Sequence, residues 1–446
     1  MKKLLIILVI IPLASCQKFL NEKPDKKLVI PATLADLQAL LDNSNTMVFN
    51  DPHIAELSSD DFYLPTATWQ ALSDNDRGMY TWQKDNLYES STNAWSNLYK
   101  KIYTANTVLE TLINIEQNVG NINEWNNIKG QALMVRGKSF LFAVLLWSPA
   151  YDGATANTDM GIPLRLNTDQ AETSTRPSVQ QTYNQAINDL SQGATLLPAR
   201  GIHVIRPCKA AAYAFLARTY LAMRNYPKAG LYADSSLQVN SSLLNYNSLG
   251  TTATYPVLLD NTEVNYSTLF FSQALIPNYG RVDSLMYNTY AVNDCRKTVF
   301  FIRNTDGTYS FRGNYTNSSG CFSGISANEA WLMRAEAYAR AGNTTAALAD
   351  LNTLLQMRIK TGTFIPVTAT SAADALVKIL LERRKELLFR GLRWMDIKRL
   401  NKEGAGITQK RIVNNQTYTL LPNGNGYALP IPEYVINLSG MLQNPR

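Results

Sequence analysis

Two stretches of this chain carry the same pattern of small and aromatic residues. Ala217, Tyr220 and Ala229 return as Ala335, Tyr338 and Ala347, 118 residues later. Small residues at such offsets let two antiparallel helices touch, and the aromatic ring fills the groove beside them. In the first copy, Lys209 to Arg224 reads as a helix with Ala212, Leu216, Ala217, Tyr220 and Leu221 in helical period. Asn225-Tyr-Pro227 is the turn, and Ala229, Ala233 and Leu237 mark the second helix. The second copy turns at Gly342-Asn343. A helix pair of this kind cannot bury its apolar face alone, so each copy demands packed neighbours.

The pattern resembles a tetratricopeptide unit, and helical periodicity supplies the neighbours. Thr33 is placed to cap a short helix through Leu34, Leu37, Leu40 and Leu41. Residues 43–90 read as irregular. Trp95, Leu98, Tyr99, Ile102, Tyr103, Asn106, Leu109 and Leu112 then recur every three or four residues along one helix face. A second long helix is predicted from Glu124 to Trp147, and a third from a Ser178 cap to Pro198, with Ala132 and Ala186 at a similar small-residue offset. Trp95, Trp125, Trp147 and Trp394 fall in helical period and are expected in the core. The fold class is therefore mostly α: a tetratricopeptide-like helical-repeat scaffold. Long loop-rich segments, 148–178 and 240–325, interrupt it, and insertions of that size usually carry function.

The N-terminus constrains location. Lys2 and Lys3 precede an apolar run, Leu4 to Leu13, too short to span a bilayer, and Leu13-Ala14-Ser15-Cys16 follows. Small residues before a cysteine suit cleavage and lipidation, so residues 1–15 read as a lipoprotein signal peptide and Cys16 as the acylated residue. Residues 16–33 then form a tether, 34–240 an N-terminal helical region, 241–325 an insertion and 326–446 a C-terminal region. The composition, 46% hydrophobic and 17% charged, supports an ample core. Net charge is +7 and falls to 40 basic against 35 acidic residues without Lys2 and Lys3. That mild, dispersed balance marks no nucleic-acid surface. Cys208, Cys295 and Cys321 remain beside Cys16. A Cys295–Cys321 bridge and free thiols are both open. With His53 and His203 the only histidines, a zinc site is not expected.

The last 70 residues are distinctive: Glu382-Arg383, Glu386-Leu387, Gly391, Arg393-Trp394, Asp396 and Lys398-Arg399, then Pro430-Ile-Pro432 and Gln443-Asn-Pro445. With Phe19-Leu-Asn21, Trp95 to Asn106, Arg136, Gly161-Ile-Pro163, Arg176-Pro-Ser-Val179, Asp189-Leu190 and Leu197-Pro198 upstream, this order resembles the SusD/RagB family of nutrient-uptake outer-membrane lipoproteins. The resemblance covers nearly the whole chain. It implies a surface-exposed lid over a SusC-like TonB-dependent transporter, which captures an oligosaccharide or a peptide and passes it on. It implies no enzyme activity and no cofactor. One position departs: Arg390 stands where the family usually has an acidic residue before the glycine.

Glu382 and Glu386 lie four apart and invite an acid/base reading. Catalytic acids need apolar pockets, whereas these sit among cations, so the expectation is pairing with Arg383, Lys385, Arg390 and Arg393. Asp60-Asp61 is expected to be solvated or to cap a helix. Phosphate-cradling glycine motifs and the metalloprotease and serine-hydrolase signatures are absent. Sugar capture requires flat rings flanked by polar groups. Two stretches offer this. The first holds Tyr63, Trp69, Arg77, Tyr80 and Trp82; the second holds Tyr279, Arg281, Tyr287 and Tyr290. A surface-tethered glycan-degrading enzyme and a tetratricopeptide-type adaptor are the competing readings.

Overall fold

The structure, a computed structural model, describes residues 31–88, 92–276 and 279–446. The signal peptide and Cys16 lie outside the described residues. The longer helices are α1 (Leu34–Leu41), α2 (Ala94–Ile113), α3 (Ile122–Trp147), α4 (Val179–Leu196), α5 (Lys209–Ala222), α6 (Tyr226–Val239), α7 (Ala327–Arg340), α8 (Thr344–Gln356), α9 (Ala372–Glu386) and α10 (Arg393–Asn401). Among the described residues no helix is long and apolar enough to cross a membrane.

Local chemistry sets the helix starts. Thr33 and Asp36 form a capping box on α1, and Ser178 and Gln181 do the same on α4. Asn225 caps α6, so Pro227 sits inside the first turn, where a missing N–H costs nothing. Successive helices then pack as neighbours from α2 through α7, with α8 and α9 both against α7. The two copies of the repeat are separated in sequence but adjacent in space, because α6 packs directly on α7. Gly230 makes that contact possible: a Cβ there would stand 2.7 Å from the Ala337 Cβ. Ala217, Ala229, Ala335 and Ala347 are fully buried between the paired helices. The mostly α, tetratricopeptide-like class is the observed one. Trp95, Trp125, Trp147 and Trp394 are all in the core.

Buried ion pairs tie the C-terminal motif to the scaffold. Arg218 of α5 holds Glu329 of α7 at 2.7 Å, and Arg399 of α10 holds Glu336 of α7 at 2.6 Å. Glu382 and Glu386 do form ion pairs, but mostly with other partners than expected. Arg296, from the insertion, binds both, Arg358 binds Glu386 at 2.7 Å, and Lys385 binds Glu382. Arg383 instead meets Asp396 and Arg393 meets Asp60. Sequence proximity on α9 misleads here because the inner face of that helix looks onto the insertion. Asp61 is buried and Asp60 half-buried, and each is held in an ion pair rather than left to water. They are enclosed against Arg384 and Arg393, and the Arg393 guanidinium overcomes the burial penalty to hold Asp60 down at about 2. Lys398 donates to the Leu145 and Ser148 carbonyls at 2.7 Å and so satisfies the C-terminal end of α3. Cys208, Cys295 and Cys321 are free thiols, which resolves the open pairing.

Residues 43–88 are less irregular than expected. They hold four short helices, Ser44–Met47, Ile54–Leu57, Thr66–Gln70 and Asp74–Tyr80, each too brief for periodicity to register. The insertion is built from two-stranded antiparallel pairs. β1 (Phe62–Tyr63) pairs with β4 (Arg281–Val282), β2 (Val264–Tyr266) with β8 (Ile325–Ser326), β3 (Leu269–Phe270) with β7 (Cys321–Phe322), and β5 (Phe301–Arg303) with β6 (Tyr309–Phe311). A hairpin of β9 (Gln409–Val413) and β10 (Gln416–Leu420) follows α10.

Candidate ligand-binding cleft

The helices Thr66–Gln70 and Asp74–Tyr80, the loop that follows and the β9–β10 hairpin enclose an open cleft of about 660 Å³. Trp69, Arg77, Trp82, Lys84 and Tyr418 are among its walls. The size falls within the usual range for small-molecule sites. Ser73 accepts from the Asp76 N–H and starts the second helix, with Asp74 and Asp76 favourably placed in its first turn.

The indole donors are committed to the protein. Trp69 Nε1 donates to the Arg77 carbonyl at 3.3 Å, and Trp82 Nε1 to the Ser58 carbonyl at 3.0 Å. Each ring is thereby fixed in orientation. Both side chains are half-buried, so ring surface remains for the cleft. Arg77 is committed too: it donates to the Gln70 and Leu72 carbonyls and pairs with Asp74. Arg77 therefore shapes the wall, and its charge is compensated.

Beneath Trp82 lies Arg411. Its guanidinium stands 4.7 Å from the Trp82 ring and 3.7 Å from the Tyr80 ring, and donates to the Ser59 and Tyr80 carbonyls. Burial without a carboxylate partner lowers it to about 10. Tyr418 is the direct cross-strand partner of Arg411, so the two side chains share one face of the hairpin. Glu56 lies under the same floor. Burial first, and the Asp61 charge second, push it up to about 8, so it is protonated at neutral pH.

The two aromatic stretches are joined elsewhere, since β1–β4 pairing sets Tyr63 opposite Arg281. Tyr63 is 41% exposed, and Arg281 bonds Asp306 at 3.3 Å beside it. Tyr279 is half-buried. Tyr287 is stacked on Tyr309 at 3.7 Å between ring centroids, with Lys297 over its ring at 4.9 Å. Two of the expected platforms are enclosed. Tyr80 is 1% exposed and its hydroxyl accepts from the Leu64 N–H. Tyr290 is also 1% exposed and donates to the Lys385 carbonyl at 2.8 Å. Neither ring has a face to offer. The cleft thus gathers Trp69, Arg77 and Trp82 but not Tyr63, Tyr279, Tyr287 or Tyr290.

Tyr418 and Arg411 were not among the residues that the sequence pointed to. A signal was present. Asn414 and Asn415 have φ of 51° and 59°, the left-handed pair of a tight hairpin turn, and alternation flanks them on both sides. Among the described residues no cluster of three or more His, Cys, Asp or Glu is placed to hold a metal ion.

Comparison with known proteins gives a consistent set. Residues 18–221 match a family model described as starch-binding associating with outer membrane, and residues 327–446 match the model of the SusD family. No curated protein is similar in sequence. A solved structure of a putative sugar binding protein from Bacteroides vulgatus is 20% identical, with a TM-score of 0.75 over 94% of this chain and 99% of that one. A SusD superfamily protein from Bacteroides thetaiotaomicron is likewise 20% identical, with a TM-score of 0.75 over 93% and 100%. A SusD-like carbohydrate binding protein from Bacteroides vulgatus is 20% identical, with a TM-score of 0.67 over 92% and 97%. At these identities the structures speak for the fold.

Proposed function

The chain belongs to the SusD family, and from that premise we propose that it is a non-catalytic outer-membrane lipoprotein that captures an oligosaccharide in the Trp69–Trp82–Tyr418 cleft. Cys16 anchors it in the membrane, the body faces outward, and the captured glycan passes to a SusC-like TonB-dependent transporter. The observation that carries this reading is the state of the two indoles. Their N–H groups are bonded to backbone carbonyls, so their ring surfaces are fixed before any ligand arrives. A rigid ring loses little entropy on binding and suits the C–H face of a sugar. Gln83 and Asn86, exposed in the same wall, supply amide groups for hydroxyls.

The match to a starch-binding family model favours a saccharide over a peptide. How two carboxylates are used supports the non-catalytic reading: Glu382 and Glu386 are both engaged by arginine, which keeps them from acting as an acid/base pair. The test is calorimetry of soluble residues 17–446 against a panel of neutral and acidic oligosaccharides, with product release followed in parallel. Binding without turnover supports the reading. Turnover in the absence of a transporter, or no glycan bound at all, contradicts it. Cys16→Ala, made in the full chain, is expected to release the protein from membranes with its melting temperature unchanged.

A further inference from the structure

Arg390, the residue that departs from the family pattern, has no place in the cleft. It is 7% exposed and packs its guanidinium over the Tyr315 ring at 4.2 Å. One nitrogen donates to Ser326 Oγ at 2.9 Å. Among the described residues no carboxylate lies within ion-pair distance of it, and its Nη2 has no hydrogen-bond partner. Arg390 lines a small cavity of about 30 Å³ between the α3 C-terminal turn, the 52–55 segment and the start of α10. Trp394 lines the same cavity, is 1% exposed, and its Nε1 is likewise without a partner.

We propose that this cavity is a binding site for a single small monovalent anion, chloride being the natural occupant, held by Arg390 Nη2 and Trp394 Nε1. Three features support an anion over a water. First, the two orphaned groups are both donors, and an anion needs only donors. A water must also donate two protons. Among the described residues that line the cavity, Ser323 supplies the one side-chain oxygen, and its proton already goes to Asp51 at 2.7 Å. The remaining side chains of the walls, Phe142, Phe270, Met395 and aliphatic groups, offer a water proton no oxygen. Second, buried cations stand behind one wall. Behind Ser323, Asp51 is shared by two buried lysines, Lys101 and Lys138. Burial, only partly offset by Asp51, lowers Lys138 to about 7, a strain that a nearby anion relieves. Trp394 also lies in the first turn of α10, the positive end of that helix dipole. Third, about 30 Å³ admits one water-sized or halide-sized occupant and excludes phosphate, sulfate or a sugar.

The site is independent of the glycan cleft and its test does not require a glycan. Crystals of residues 17–446 soaked in sodium bromide are expected to show an anomalous peak in this cavity, within hydrogen-bond reach of Arg390 and Trp394. No peak there overturns the proposal. In solution, replacing glutamate with chloride at constant ionic strength is expected to raise the melting temperature by about 2 °C per tenfold chloride above the dissociation constant. Arg390→Met abolishes that dependence. Should Arg390→Met fail to fold, Trp394→Phe removes only the N–H and is expected to weaken the chloride dependence several-fold. An equal chloride response in wild type and in either variant overturns the assignment.

Discussion

Residues 63–88 and 279–290 look alike in sequence, each a run of tyrosine or tryptophan broken by Asp, Asn and Arg, yet the structure uses them differently. In the first, two indoles are tied down by backbone carbonyls and border open space. In the second, the rings cover one another. Tyr287 lies on Tyr309, Phe301 meets both Tyr287 and Tyr290 edge-on, and Tyr290 closes over Arg296 and Lys385. The difference lies in what stands opposite. The insertion strands bring aromatics to face aromatics, whereas the 66–86 segment faces a hairpin that supplies one cation below and one tyrosine at the rim. Composition identifies a ring as available; the opposing element decides whether it stays available.

The contrast can be broken from either side. The largest expected effect is on stability: Tyr290→Ala removes a fully buried ring and its hydroxyl bond. It should cost about 3–5 kcal/mol in denaturant unfolding while leaving glycan affinity of the folded protein intact. Next is Trp82→Ala, expected to weaken glycan binding about 30-fold in calorimetry with a far smaller loss of stability. The same two variants with the effects exchanged would reverse the roles assigned here. A third effect concerns the floor of the cleft. Glu56 ionises near 8 when folded and near 4.5 when unfolded, so the folded state holds its proton where the unfolded chain has lost it. Its contribution is complete below about pH 4.5 and is lost as pH rises towards 8. Glu56→Gln should flatten that slope, by about 2 kcal/mol between pH 6 and pH 8. The smallest effect is expected for Tyr287→Ala, less than about threefold on glycan affinity, because its ring already stacks on Tyr309.

The helices were the legible part. Caps at Thr33, Ser178 and Asn225 are local side-chain chemistry, and the alanine and tyrosine offsets are periodic. What could not be read was pairing between segments distant in sequence. Glu386 finds Arg296 and Arg358, and Arg393 finds Asp60 across 333 residues. No local rule distinguishes those partners from the nearer Arg383 or Arg390. The site was half legible for the same reason. Trp69 and Trp82 announce themselves as aromatics in a polar stretch. Tyr418 and Arg411 enter through a hairpin that only the Asn414-Asn415 turn betrays, and Tyr80 is buried by that same hairpin. The cavity beside Arg390 was marked in the sequence only as an anomaly, a cation where an anion is usual.

The central claim is that the Trp69–Trp82–Tyr418 cleft is where ligand is held. The most direct measurement is a crystal structure of residues 17–446 with an oligosaccharide identified by the binding screen. The account predicts electron density for a sugar ring stacked on Trp69 or Trp82, with Tyr418 alongside. Density lodged instead against Tyr63 and Tyr279, or in the groove between Tyr103 of α2 and Asn167 of the 148–178 loop, with the cleft empty, would contradict it.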